Sequence, residues 1–178
     1  MQGFLVVLKV PETQVSLRNK HYRGVYRLPS YRLPDQEPIR TETAAMEEYV
    51  FGKIANEFGL IMSYETALQM LAKFAKSSRE FEVIHCRKWS DCATDRSRSA
   101  SLPGKPLGFD VAGFGGDFWS IVADFPDDIR VAHFFDKLNE NGLFYAPDEA
   151  TEYLDEYRRL RLPDYQSPFE VLAVRLME

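Results

Sequence analysis

Only two cysteines, Cys86 and Cys92, stand in a chain of 178 residues. That is too few for a disulfide framework at this size, so a reducing cytoplasm is the expected setting and a packed core must supply the stability. Histidine is nearly as scarce. His21, His85 and His133 fall in different predicted elements, and no Ser/His/Asp or Cys/His arrangement can be drawn from them. Long apolar runs are absent, with no stretch near the roughly 18 residues that a membrane span needs. The apolar start, Met1 to Lys9, lacks a basic leader and a small-residue cleavage site, so it reads as a strand and not a secretion signal. Positive charge is not in excess either. The net charge of −5 gives no general attraction to nucleic acid or to anionic membranes.

What is present is an ordinary globular composition, 45% hydrophobic and 28% charged, in a length that can bury a real core. The chain also repeats itself. Asn56-Glu57-Phe58-Gly59-Leu60-Ile61 recurs as Asn139-Glu140-Asn141-Gly142-Leu143-Phe144, and an alanine follows each leucine at the same distance, Ala67 and Ala150. Gly3-Phe4-Leu5-Val6 is echoed by Gly108-Phe109-Asp110-Val111, and Phe81-Glu82-Val83 by Phe169-Glu170-Val171. Repetition of this kind constrains architecture more than chemistry.

Element signals follow the repeat. Gly3 to Val10 is apolar on both faces, as a strand covered on both sides would be. His21 to Leu28 is a second strand, closed by Pro29. Thr41 or Thr43 caps a helix to about Phe58, with Met46, Tyr49, Val50, Ile54 and Phe58 in one stripe and Gly59 at its end. Ser63 caps the next helix, whose buried side is Ala67, Met70, Leu71, Phe74 and Ala75. A strand over Phe81 to Cys86 completes the unit.

In the second copy, Leu107 to Phe114 and Phe118 to Phe125 are strands about a Gly115-Gly116-Asp117 turn. Asp127 or Asp128 caps a helix carrying Val131, Phe134, Phe135 and Leu138. Pro147 opens a helix carrying Ala150, Tyr153, Leu154 and Tyr157, and Phe169 to Leu176 is the last strand. The expected fold is α+β, an internal duplication of a β-β-α-α-β unit. Residues 1–88 and 107–178 are the copies, packed as one pseudo-symmetric protein about an exposed linker at 89–106.

The chemistry-bearing groups are few. His85, Cys86, Asp91 and Cys92 offer soft ligands, but Cys-x5-Cys is not zinc-knuckle spacing, and a buried strand thiol with a loop thiol is the better reading. Arg87-Lys88, Trp89 and Arg96-Ser97-Arg98 mix basic and aromatic residues, yet Asp91 and Asp95 interrupt them, as in a solvated linker. Gly108, Gly113, Gly115 and Gly116 lead into a strand instead of a helix, which argues a hairpin and not a phosphate loop. Asp110 stands out because Leu5 holds the matching place. An acid in a two-sided strand costs several kcal/mol unless partnered, so Asp110 is a network residue or a ligand-site residue. Asp117, Asp124, Asp127 and Asp128 complete a carboxylate group. Asp127 and Asp128 are explained equally well as helix caps. No metal or cofactor is expected.

Charge divides the copies. Residues 1–90 hold 13 Lys and Arg against 10 Asp and Glu, whereas residues 91–178 hold 9 against 17. A fold does not require that asymmetry; a partner would explain it. Leu107 to Ala112, Leu138 to Phe144, Glu149-Ala150 and Phe169-Glu170-Val171 resemble small uncharacterised bacterial proteins, some of them similar to the immunity proteins that accompany polymorphic toxins. The resemblance carries no functional residue across.

The expectation is therefore a cytoplasmic, non-enzymatic protein-binding module, an immunity protein in type. It would occlude a basic toxin domain with an acidic surface around Asp117, Trp119, Asp124, Asp127 and Asp128. The alternative is an enzyme or small-ligand binder with its site at the junction of the copies, where Asp110 and the arginine-rich linker would meet. A purely scaffolding role would show neither property.

Overall fold

Gln2–Lys9 form β1, and the consecutive residues Leu5, Val6 and Val7 are all buried. Neighbouring strand residues point to opposite faces, so both sides of this strand are covered. The computed structural model describes residues 1–9, 26–27, 54, 56, 60–74, 81–93, 103–114, 118–122, 129–160 and 168–178, with the backbone alone at 8–9, 26–27, 73–74, 93, 114 and 118–119. Beyond β1 the elements are β2 (Tyr26–Arg27), α1 (Tyr64–Phe74), β3 (Phe81–Lys88), a short α2 (Trp89–Ala93), β4 (Lys105–Phe114) and β5 (Phe118–Ser120). A 3-10 helix at Ala132–Lys137, α3 (Pro147–Arg159) and β6 (Phe169–Leu176) follow.

The fold is α+β. Its sheet is antiparallel throughout, in the order β2-β1-β3-β6-β4-β5, with four long strands in the middle and two short ones at the edges. The centre is the pairing of β3 with β6, where Cys86 lies opposite Val174, His85 opposite Arg175 and Arg87 opposite Ala173. The register runs alike in both directions from there. Gly3 faces Cys86 as Gly108 faces Val174, Leu5 faces Ile84 as Asp110 faces Leu172, and Leu8 faces Phe81 as Gly113 faces Phe169.

The asparagine-glycine turns are also built alike. Phe4 and Ile61 exchange two backbone hydrogen bonds of 2.9 and 2.8 Å, and Phe109 and Phe144 exchange two of 2.9 Å. The Asn56 N–H donates to Leu60 O at 2.8 Å and Asn56 Oδ1 accepts from the Leu60 N–H at 3.0 Å. Asn139 makes the same pair with Leu143, at 2.8 and 3.2 Å. Its Nδ2 also donates to Leu107 O at 2.7 Å, and its Oδ1 accepts from the Asn141 N–H at 2.9 Å. The asparagine thus ties the turn to the first strand of its half. Asn139 is buried, so Asn139→Ala leaves the Asn141 and Leu143 amides without their side-chain acceptor and the Leu107 carbonyl with only the 3.3 Å bond from Asn141 Nδ2, and is expected to cost about 3 kcal/mol in chemical denaturation. Asn56→Ala, at a half-buried site, is expected to cost about 1 kcal/mol. Equal, negligible effects would remove the turns from the account of stability.

Both described long helices start as their sequences predict. Ser63 Oγ accepts from the Thr66 N–H at 3.1 Å, with Glu65 in the first turn of α1. Pro147 opens α3, and Glu149 reaches back to accept from the Ala146 N–H at 3.1 Å. Ala67 and Met70 bury α1 against β1 and β3. Ala150, Tyr153, Leu154 and Tyr157 bury α3 against β4 and β6. Tyr153 stacks near Phe134 and Phe144, with ring centroids 5.3 and 5.5 Å away, and its hydroxyl donates to Ile121 O at 3.2 Å. That hydroxyl bond satisfies the polar end of a wholly buried ring.

Three expectations change. The apolar stripe ending at Leu138 lies on a 3-10 helix, not an α-helix, with Phe134 N–H to Val131 O at 3.0 Å and Leu138 N–H to Phe135 O at 3.1 Å. Three-residue steps already bring Val131 and Phe134 to one side of the tighter helix. Leu138 then turns extended, with ψ 141°, to bridge Phe144. The strand expected over Phe118 to Phe125 ends at Ser120, and Ile121 and Val122 enter the core from a turn. At the start of the expected linker, Trp89–Ala93 is helical and Cys92 is buried, and Trp89 packs edge-on to Phe109 at 5.2 Å. The helix expected before Gly59 (except Ile54 and Asn56), the remainder of the strand around His21, and the Gly115–Asp117 turn lie outside the described residues.

Candidate functional site

The buried residues of α3 recur at three- and four-residue steps, which leaves Asp148, Thr151, Glu152 and Asp155 together on the exposed side. With Glu156, Arg159, His133 and Phe134 they line an open groove of about 640 Å³ between α3 and the 3-10 helix. Asp148 and Glu149 also sit where the helix dipole favours anions. Two cations answer part of this charge. Lys137 Nζ meets Glu152 Oε2 at 2.6 Å and Arg159 binds Glu156 through Nε at 2.7 Å, while Arg158 donates to the Phe169 carbonyl at 2.8 Å. The Arg159 guanidinium holds Glu156 below the usual carboxylate range. Asp148 and Asp155 have no ion pair among the described residues.

The matching face of α1 is chemically different. Aligning the buried Ala67 with Ala150 places Glu65, Gln69, Ala72 and Lys73 where α3 has Asp148, Glu152, Asp155 and Glu156. Leu68, 42% exposed, stands where α3 has Thr151. Part of the charge asymmetry between the halves is therefore carried on one helix face. Sequence reasoning did not single out these acids. The available signal was the spacing of Asp148, Glu152 and Asp155, four and then three residues apart.

Asp110 is a strut. It is buried on β4, and its Oδ1 accepts from the Val111 N–H at 2.8 Å and from the Ser120 hydroxyl at 2.6 Å. Ser120 lies opposite Ala112, so the bond crosses from β4 to β5. Burial pushes the Asp110 carboxyl up to about 6, against the pull of those two donors. Its charge in turn raises the neighbouring Cys86 thiol and Tyr153 hydroxyl, both already raised mainly by burial. Asp110 lines neither of the two clefts described for this molecule.

The other sequence candidates distribute as follows. Trp119 is on the edge strand β5 opposite Gly113, while Asp117, Asp124, Asp127 and Asp128 lie outside the described residues. His85 and Cys86 are consecutive on β3 and face opposite ways. His85 packs on Phe4 with centroids 5.0 Å apart, and burial together with Arg87 and Arg175 depresses its pKa. Among the described residues no three His, Cys, Asp or Glu side chains gather as a metal set. Nor is any helix among them long and apolar enough to cross a membrane. The chain matches no protein-family model, no curated protein and no solved structure.

Proposed function

We propose that the chain is an internally duplicated, non-enzymatic protein-binding module in which the second half presents an acidic helix face to a basic partner. The matched registers about Cys86 and Val174 and the twin asparagine turns support the duplication. The observation that carries the docking face is the contrast between equivalent helices: Glu152 and Asp155 on α3 against Gln69 and Ala72 on α1, with an acid, Asp148 or Glu65, opening each. A scaffold alone needs no such contrast, since both helices bury their inner sides equally well. Trp119, Asp117, Asp124, Asp127 and Asp128 remain part of the proposed partner surface on the strength of the sequence alone. An immunity protein that neutralises a toxin by occlusion fits this chemistry. Acidic side chains speed encounter with a basic domain, and aromatic neighbours slow release.

The test is charge reversal on solvent-facing positions, which leaves the core intact. The triple variant Asp148→Lys, Glu152→Lys, Asp155→Lys is compared with the wild-type chain in capture of partner proteins from the native cell. The wild type is expected to retain a basic protein that about 0.5 M NaCl releases, where screening acts over only a few ångströms. The triple variant is expected to lose it. Equal retention by both, or recovery of no protein by the wild type, contradicts the proposal. The alternative, an enzyme or small-ligand binder with its site at the junction of the halves, draws no support from the second cleft, whose lining residues run from Trp89 to Leu176 and do not include Asp110.

A further inference from the structure

His85 and Ala173 occupy matching places in the sheet. His85 faces Phe4 across β1 and β3, and Ala173 faces Phe109 across β4 and β6. In the first half the imidazole lies on Phe4 and is buried, with Nδ1 finding no hydrogen-bond partner. That is a costly way to fill space, and it shows how much room the position offers. In the second half the side chain is a methyl group. The room is open there, as a cleft of about 440 Å³ between α2, the β4–β6 floor and the Asn139–Tyr145 turn. A cleft of that size holds a small organic molecule.

Its lining is selective. Trp89 and Phe109 form one aromatic wall, set edge-to-face at 5.2 Å, and Tyr145, 65% exposed, stands at the turn. Arg175 and Lys105 bring two cations to the cleft. Arg175 is fixed in place by its bonds to Pro103 O at 3.0 Å and Gly104 O at 2.6 Å. Glu140 contributes one opposing carboxylate. The balance is one net positive charge in a half whose surface is otherwise acidic, next to π-faces that accept a planar ring.

We infer that this cleft binds a small aromatic monoanion, a planar ring bearing one carboxylate. The ring lies along Trp89 and Phe109 in the space that Ala173 leaves, and the carboxylate meets Lys105 and Arg175. Glu140 opposes a phosphate dianion more strongly than a carboxylate, which selects the class. The inference is independent of the docking face on α3, because no residue lines both clefts.

Titration of the whole chain with indole-3-carboxylate, indole-3-carboxamide and adenosine 5′-monophosphate, followed by calorimetry, tests it. The carboxylate is expected to bind at least tenfold more tightly than the amide and the nucleotide. Ala173→His, which installs the first half's own plug, is expected to abolish binding. Lys105→Glu, at an exposed position that cannot disturb the core, is expected to weaken the carboxylate tenfold and leave the amide unchanged. The inference is overturned if amide and carboxylate bind alike, if the nucleotide binds more tightly than the carboxylate, if Lys105→Glu has no effect, or if no heat is seen at millimolar carboxylate. Should Ala173→His unfold, the Lys105→Glu comparison decides alone.

Discussion

Gly108→Ala is expected to lower the stability of the chain by more than about 3 kcal/mol, seen as a fall of roughly 10 °C in the unfolding temperature. Two effects add at this residue. Its φ of +143° is one that side chains rarely adopt. A Cβ there would also stand 2.8 Å from Phe144 O, Leu143 Cβ and Asn139 Nδ2 at once. The first of these is backbone held by the Phe109–Phe144 bridge, so it cannot swing away. Relief would require the turn to leave the sheet, and with it the buried ring of Phe144. Gly3→Ala meets the corresponding obstacle, Leu60 Cβ at 2.5 Å and Ile61 O at 2.9 Å, and is expected to destabilise strongly as well. Two glycines 105 positions apart in the chain, sensitive for one reason, would be a strong sign of a shared framework. Tolerance of alanine at either one would break the parallel.

The second large effect concerns pH. Burial raises the Asp110 carboxyl from 3.8 to about 6. A carboxyl whose folded value is raised contributes stability that is fully present below the unfolded value and is lost as pH rises through the folded one. The ionised form is the unfavourable one here, and the loss amounts to about 3 kcal/mol once the group is charged. Asp110→Asn keeps the acceptor for Ser120 and Val111 and removes the titration. The difference in unfolding free energy between Asp110→Asn and wild type is therefore expected to move in the variant's favour by about 3 kcal/mol as pH rises from 3.5 to 7.5, with most of the change between about 4 and 6. Taking the difference cancels the carboxylates that behave oppositely, such as Asp91, held low chiefly by its bond to the Met1 amine. A pH-independent difference in denaturant titrations would show that Asp110 is solvated in the folded chain.

The frame of this fold was legible because its signals are local. Apolar residues on both faces marked β1, the repeated Phe-Glu-Val marked β3 and β6, a serine cap marked α1, and Pro147 marked α3. The exceptional character of Asp110 was also legible, by comparison with Leu5 in the repeat. Its partner was not, because Ser120 reaches it only once β4 and β5 are paired. The 3-10 helix escaped because the three-residue step from Val131 to Phe134 suits either helix. What decides is the bridge from Leu138 to Phe144, a contact beyond any local window. The acid stripe of α3 was readable by spacing, yet each acid alone has an ordinary explanation as a solvated or dipole-facing residue. Its meaning emerges only when α1 is set beside it, position by position. The cleft at Ala173 has the same origin, since only the sheet register shows that His85 holds the corresponding place.

An experimental structure of the whole chain, with residues 2–7, 60–71 and 81–87 superposed on 107–112, 143–154 and 169–175, tests the account at its root. It is expected to bring Gly3 onto Gly108, the Phe4–Ile61 bridge onto Phe109–Phe144, and the exposed side of α1 onto the carboxylates of α3. Halves with different strand order, or bridges that do not coincide, would mean that the helix faces and the two central positions were never equivalent, and the functional reading built on their divergence would fall.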